Sequence, residues 1–496
     1  MPTKTTRKPP IRKSNVARPK SKSALNSKFT FSRSQLAIVI GLILVIGGII
    51  VWRVLAATSQ TEVETWTASG GNTKTVADNT ASGGSYLEFL TPTATTVPGL
   101  PSGVTLQQID GGPSYYAKWA NSYPSDPSYF PLSVFNINDL GSSVSTYKSF
   151  GINTITSIYD SNGPLGNLDV AKANGMPATL DPSTEYIDNA AFKQKYGNTV
   201  AAWQYQEEGE GNPCSWITID YLKPLCKNDP NNGGKISGAS WIAMSDAVRA
   251  KDPTRPVLQG WTNGCALNHF PGGTVQELAQ SSDIIYFDVY AKLDTRIQYD
   301  GYDRVWGNYT TVSNSRQFAS YGKPIWPAIG PSAVDTDSGM NTSKYELTPA
   351  DVKASVMQAI VGGARGIVYF KHCFCSSINK ESGDIFMDSR YAPQTTAVKD
   401  VNAQITRLAP VINAPFANDY YTNTGTINSM AKYKAGDGFY IFAAAKSTAS
   451  QSVTFTVKSG SSVTVVDENR TLPIAAGKFT DTFAGETAYH IYKINP

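Results

Sequence analysis

The sequence predicts a (β/α)8 barrel followed by a small C-terminal antiparallel β-sandwich, the two preceded by an N-terminal apolar helix and a linker. Between residues 130 and 370, eight short runs of β-branched and aromatic residues alternate with helical or loop segments: 130–135, 154–159, 176–180, 199–205, 256–261, 283–289, 324–329 and 366–370. Strands covered on both faces read as continuous apolar runs, and eight of them suit a closed barrel better than an open doubly wound sheet. After about Ile412 the pattern changes to shorter alternating runs at 429–433, 438–443, 453–457 and 463–466, with Ala435-Gly436-Asp437-Gly438 as a hairpin turn between the first two. At the other end, Leu36 to Trp52 is an unbroken apolar run of 17 residues.

The first 34 residues carry ten Lys and Arg and no acidic residue, a composition that cannot build a core. The apolar run behind them, continued past Arg53 by Val54 to Ala57, is long enough to cross a bilayer as a helix of about 20 residues. The basic flank places the tail in the cytoplasm and everything after residue 57 outside, with cleavage near Val54-Leu55-Ala56 as the alternative to an anchor. The expected organisation is a cytoplasmic tail over 1–34, a transmembrane helix or signal-anchor over 35–57, a Ser/Thr/Gly-rich linker over 58–105, the barrel over 106–412 and the sandwich over 413–496. With the tail set aside, 33 basic residues face 39 acidic ones, so the exported part is mildly acidic. A nucleic-acid partner, which calls for a basic footprint, is not expected. The expected partner of the N-terminal helix is the membrane.

There are five cysteines, and in an oxidising compartment some should pair. Cys214 and Cys226 lie closest to a stapled loop, inside a Pro/Asn/Gly-rich stretch. His372, Cys373 and Cys375 form only a fragment of a metal motif, because tetrahedral sites usually show two separated ligand pairs. No metal and no cofactor is expected. Two helices are well marked. Trp241, Met244 and Val248 share one face, and Thr348-Pro349-Ala350-Asp351 reads as an N-cap with Pro at the first helical position. That second helix should bury Val352, Val356, Ala359 and Ile360 and stop at Gly362-Gly363.

A barrel places its chemistry at the C-terminal ends of its strands. The polar groups there are Asn136 after the first strand, Asp160 after the second, Asp181 after the third, and Glu207, Glu208 and Glu210 after the fourth. Trp261 and Asn263 close the fifth, Asp288 and Tyr290 the sixth, and Lys371 and His372 the eighth. The seventh ends at Gly330 and offers no carboxylate there.

The stretch Trp203-Gln204-Tyr205-Gln206-Glu207-Glu208 resembles the fourth strand of barrel glycoside hydrolases, where an aromatic-led strand ends in Asn-Glu or Asp-Glu and the last Glu is the general acid/base. Residues 283–290 look like the sixth strand of the same proteins, 363–370 like the eighth, and 466–470 with 479–483 and 490–492 like the β-sandwich that caps such barrels. The resemblance implies polysaccharide cleavage by carboxylate acid/base catalysis, with Glu208 as the acid and Glu207 in place of the family's Asn or Asp. The family's nucleophile at the end of the seventh strand has no counterpart, so Asp288 or Asp181, or Asp335 or Asp337 just beyond, would have to serve. Alternatively the barrel is catalytically inactive and binds glycan or scaffolds the envelope. Sugars stack their C–H faces on aromatic rings. Trp203 is expected in the barrel core, leaving Trp261 and Tyr290 for stacking. Asn263, Asp181, Asp160, Trp326 and His372 are the other expected substrate contacts.

Overall fold

The computed structural model describes residues 73–77, 85–89, 100–137, 139–158, 165–230, 233–262, 275–293, 303–319, 322–332, 346–373 and 381–496. The chain divides into two compact units, Met1–Thr93 and Ala94–Pro496. In the first, strands Thr73–Ala77 and Ser85–Phe89 pair antiparallel with Val76 opposite Tyr86. The stretch expected to be mainly a spacer holds an antiparallel strand pair, in keeping with its β-branched and aromatic residues. The basic tail and the apolar run lie outside the described residues; among those described, no helix is long and apolar enough to cross a membrane.

In the second unit, eight strands form one parallel sheet: β1 (Leu132–Ile137), β2 (Thr154–Ile158), β3 (Ala178–Leu180), β4 (Val200–Trp203), β5 (Leu258–Trp261), β6 (Ile284–Phe287), β7 (Ile325–Ile329) and β8 (Ile367–Phe370). Their order is β4-β3-β2-β1-β8-β7-β6-β5, which leaves β4 and β5 as the two edges. Those edges meet: Trp203 bridges in parallel to Val257, and its N–H donates to the Pro256 carbonyl at 2.9 Å. The sheet is a closed barrel.

One principal helix follows each strand: α1 (Leu140–Ser149), α2 (Leu165–Ala173), α3 (Ala190–Tyr196), α4 (Gly238–Lys251), α5 (Val275–Ser281), α6 (Gly307–Phe318), α7 (Pro349–Gly362) and α8 (Ala392–Ile412). As the sequence predicts, α4 buries Trp241, Met244 and Val248, and α7 buries Val352, Val356, Ala359 and Ile360. Helix α7 opens on a reciprocal cap between Thr348 and Asp351 and ends at Gly363, whose φ of 104° suits glycine. The N-terminal end of the barrel is plugged by Tyr116, Tyr123 and Trp326, with Trp326 Nε1 donating to the Tyr116 hydroxyl at 3.2 Å.

The C-terminal region is two antiparallel sheets. Its strands are β9 (Tyr421–Asn423), β10 (Ile427–Lys434), β11 (Gly438–Ala445), β12 (Gln451–Val457), β13 (Ser462–Val465), β14 (Arg470–Pro473), β15 (Lys478–Phe483) and β16 (Tyr489–Asn495). They are ordered β9-β12-β15 and β10-β11-β16-β13-β14. The expected hairpin turn joins β10 to β11, with Gly436 and Gly438 both at positive φ. Leu100, Val104 and Leu106 pack onto the sandwich core, so the end of the expected linker belongs to the folded body.

A disulfide joins Cys214 to Cys226 in the loop between β4 and α4. Cys373 is also disulfide-bonded, its partner lying outside the described residues. Closing a loop of this size stabilises a fold by on the order of 3 kcal/mol, chiefly by restricting the unfolded chain. Replacing Cys214 and Cys226 with Ser should therefore lower the denaturant midpoint by an equivalent amount in equilibrium unfolding. An unchanged midpoint would show that the loop is held without the bond.

Candidate active site at the barrel mouth

The turn after β4 sends three neighbouring carboxylates to three different places. Glu208 sits at φ 49°, in the left-handed region, and is exposed. A side chain at Gly209 would lie 2.8 Å from the Trp241 ring and 2.9 Å from the Trp261 ring, so only glycine fits over this pair. The two indoles meet edge to face, 5.5 Å between centroids. Glu210 turns inward, and its Oε1 accepts from both the N–H and the hydroxyl of Thr262, at 2.6 and 2.7 Å. The Glu207 carbonyl accepts from Gln206 Nε2 and Asn212 Nδ2, both at 3.0 Å, which fixes the backbone of the turn.

Glu207 lines a cleft of about 390 Å³ together with Phe135, Ser157, Thr179, Asp181 and Gln204. Burial raises its pKa well above the usual carboxylate range, the charges of Asp288 and Glu208 add to this, and a hydrogen bond from Gln204 opposes them. Burial also raises Asp288. The neighbouring Tyr290 hydroxyl acts the other way, and Glu208 and Glu210 push it further up. Asp181 rises to about 6, mainly through burial, against the pull of the Ser183 amide and with help from Glu185. Burial and then Lys371 lower His372 to about 4, so the ring is uncharged at neutral pH. Tyr286 Oη, Asp288 Oδ1 and Tyr290 Oη are buried and, among the described residues, make no hydrogen bond of normal geometry. Buried polar atoms are nearly always well paired, so oxygens left with poorly formed bonds at one strand end mark a place where a polar ligand fits.

Of the expected contacts, Asp181, Asp288, Tyr290 and His372 stand at this end of the barrel. Three aromatic assignments need correction. Trp261 is 1% exposed and faces the helix layer, its Nε1 bonded to the Ser282 hydroxyl at 3.1 Å, so it supports the acidic turn and offers no face to a sugar. Trp326 plugs the opposite end of the barrel. Trp203, expected inside, also points outward: its Nε1 donates to Asp252 at 3.1 Å, and it packs with the helix-layer residues. Strand alternation is the physical reason, since Leu258 and Gly260 occupy the inward positions of β5. Asp160, Asn263, Asp335, Asp337 and Cys375 lie outside the described residues. Among those described, no group of three His, Cys, Asp or Glu could hold a metal ion. Sequence reading passed over Thr179, Gln204 and Tyr286. Their signal is a polar group within an otherwise apolar run.

Comparison with known proteins gives no matching family model and no matching curated protein. Solved structures that overlap include an α-amylase from Geobacillus thermoleovorans complexed with acarbose, with TM-score 0.44 and 10% identity over 75% of this chain and 99% of that one. A glycoside hydrolase family 5 structure from Bacteroides vulgatus gives 0.44 and 11% over 78% and 98%. An α-galactosidase I from Mortierella vinacea gives 0.42 and 10% over 74% and 98%. Scores this low carry no functional argument, and the site stands on its own geometry.

Because Asp181 has a higher pKa folded than unfolded, the folded state holds its proton more tightly. That stability is fully present below about 3.9, the unfolded value, and is lost as pH rises through about 6. Asp181→Asn should therefore be more stable than wild type at pH 8, with the gap closing towards pH 4. Denaturant midpoints across this range measure it, and a pH-independent difference would contradict the burial argument.

Proposed function

We propose that the barrel mouth cleaves glycosidic bonds in a polysaccharide by carboxylate acid/base chemistry. The observation that carries this reading is the cluster of Glu207, Glu208 and Asp288, set beside the buried Tyr286 hydroxyl, which has no hydrogen-bond partner among the described residues. Glycoside cleavage needs one protonated and one ionised carboxyl group at the scissile bond. Three carboxyls pressed together do not all ionise, so such a cluster keeps a proton near neutral pH. Glu208 is the most exposed of the three, where a glycosidic oxygen can reach it. Asp288 then serves as the second carboxylate, in place of the one that Gly330 lacks. Glu207 lies beneath, where burial favours its protonated form and so limits the charge of the cluster. Asp181, His372 and the half-buried ring of Tyr290 complete the sugar contacts. The basic tail and the apolar run support a membrane-tethered protein working outside the cell, and the Cys214–Cys226 bond suits an oxidising compartment. Protease accessibility of the barrel on intact cells tests that placement: protection from protease would overturn it.

One observation favours a second reading. Glu208 acts on Asp288 by hydrogen bonding as well as by charge, whereas hydrolytic carboxyl pairs stand about 5 to 9.5 Å apart. A closer pair suits a barrel that binds glycan without cutting it. A glycan screen with wild type, Glu208→Gln and Asp288→Asn separates the two. Hydrolysis predicts turnover that falls by about 10² to 10⁴ in Glu208→Gln. Equal turnover in wild type and Glu208→Gln would remove Glu208 from the mechanism, and binding without turnover in any of the three would establish the second reading.

A further inference from the structure

The floor of the site contains a hydrogen-bonded chain that runs across three strands. Ser157 in β2 donates its backbone N–H to Thr179 Oγ1 in β3 at 2.6 Å. The Thr179 hydroxyl donates to Gln204 Oε1, just past β4, at 2.7 Å. Gln204 Nε2 donates to Glu207 Oε1. Thr179 is fully buried and Gln204 nearly so. We infer that Thr179 is a positioning residue that decides which end of the Gln204 amide faces Glu207.

An amide side chain has nearly the same shape after a half-turn, so shape alone does not orient it. Donor and acceptor roles do. The Ser157 N–H can only donate, and Thr179 Oγ1 accepts it. The Thr179 hydroxyl hydrogen then needs an acceptor of its own, and the Gln204 carbonyl oxygen takes it. With that oxygen committed, the amide NH2 is left for the carboxyl group. A flipped amide would set NH2 against the hydroxyl and a carbonyl oxygen against a carboxylate, leaving buried groups unsatisfied. Ser157 sits at φ 61°, in a region costly for a non-glycine residue. The bond from its N–H to Thr179 gives that strained conformation a role.

The oriented amide stabilises the ionised form of Glu207. It therefore opposes burial and the charges of Asp288 and Glu208, which favour the protonated form. Thr179→Val removes the hydroxyl at nearly constant volume and frees the amide to turn its oxygen towards a protonated Glu207. Thr179→Ser keeps the hydroxyl and should keep the orientation.

The test is the titration of Glu207 by NMR of protein carrying glutamate labelled with carbon-13 at the carboxyl, the resonance assigned with Glu207→Gln. Thr179→Val should move the midpoint upward by about one unit, the order expected for losing a hydrogen bond to a charged group. Thr179→Ser should titrate as wild type does. Gln204→Leu, which removes the amide outright, should also move the midpoint upward and carries the test if Thr179→Val does not fold. Unchanged midpoints in the Val and Leu variants, or a Ser variant shifted as far as the Val variant, would overturn the inference. The inference rests on the proposed site only for its consequence in catalysis. A shifted titration without hydrolysis would sink the enzymatic reading alone, and hydrolysis with unmoved titrations would sink this inference alone.

Discussion

The structure depends on the seam where β4 meets β5. The junction that closes the barrel is a single bridge, from Trp203 to Val257, which lies just before β5 begins. Side chains close what the backbone leaves open. Asp252 and Arg255 form an ion pair at 2.7 Å with both side chains almost wholly buried. Arg255 also donates to the carbonyls of Val200, at the start of β4, and Gly197 before it, at 2.7 and 2.9 Å. Asp252 accepts from the Trp203 indole. A buried pair is costly to desolvate, and removing either member leaves an unpaired buried charge at a cost of about 3 to 5 kcal/mol. The return is geometric, because the planar guanidinium reaches the carboxylate and two carbonyls in fixed directions.

The same seam sets the electrostatics of the mouth. At its upper end Glu210 ties the acidic turn to Thr262 beyond β5, and Trp241 and Trp261 fill the space under Gly209. With Glu210 and Gly209 both fixed, the chain between them and β4 has few conformations left. Glu207 then falls on the barrel side and Glu208 on the solvent side. Two adjacent residues thus acquire unlike surroundings, which is how one stretch of sequence can present both a proton-holding and an accessible carboxyl.

All eight barrel strands were legible in the sequence, because parallel strands covered on both faces are apolar along their whole length. That property also hides which way each residue points. In an alternating strand the polar face declares itself, whereas in Leu258-Gln259-Gly260-Trp261 neither face does, and the large indole was read as lining the cleft. The small residue was the better signal, since Gly260 lies inward where a side chain would meet the Tyr286 ring at 3.1 Å. The helices were easier to read: the cap at Thr348 and the stop at Gly363 rest on local backbone chemistry, which neighbouring elements do not alter. The chain from Ser157 to Glu207 was not legible, because it joins three strands distant in sequence and depends on one irregular backbone angle.

The sandwich bears on the mouth as well. Lys292, two residues past Tyr290 and at φ 70°, is buried between Asp351 at 2.7 Å and Glu486 at 2.6 Å. Asp351 belongs to the N-terminal cap of α7, and Glu486 to the turn between β15 and β16. The segment that carries Asp288 and Tyr290 is thus fastened to a barrel helix and to the sandwich by one ammonium group. Asp288 is crowded by Glu207 and Glu208, and that repulsion would ease if the segment moved outward. The anchoring ion pairs lie beyond the mouth and oppose that movement. The sandwich therefore acts as more than a cap on the barrel: it takes part in holding these carboxyl groups together at the mouth.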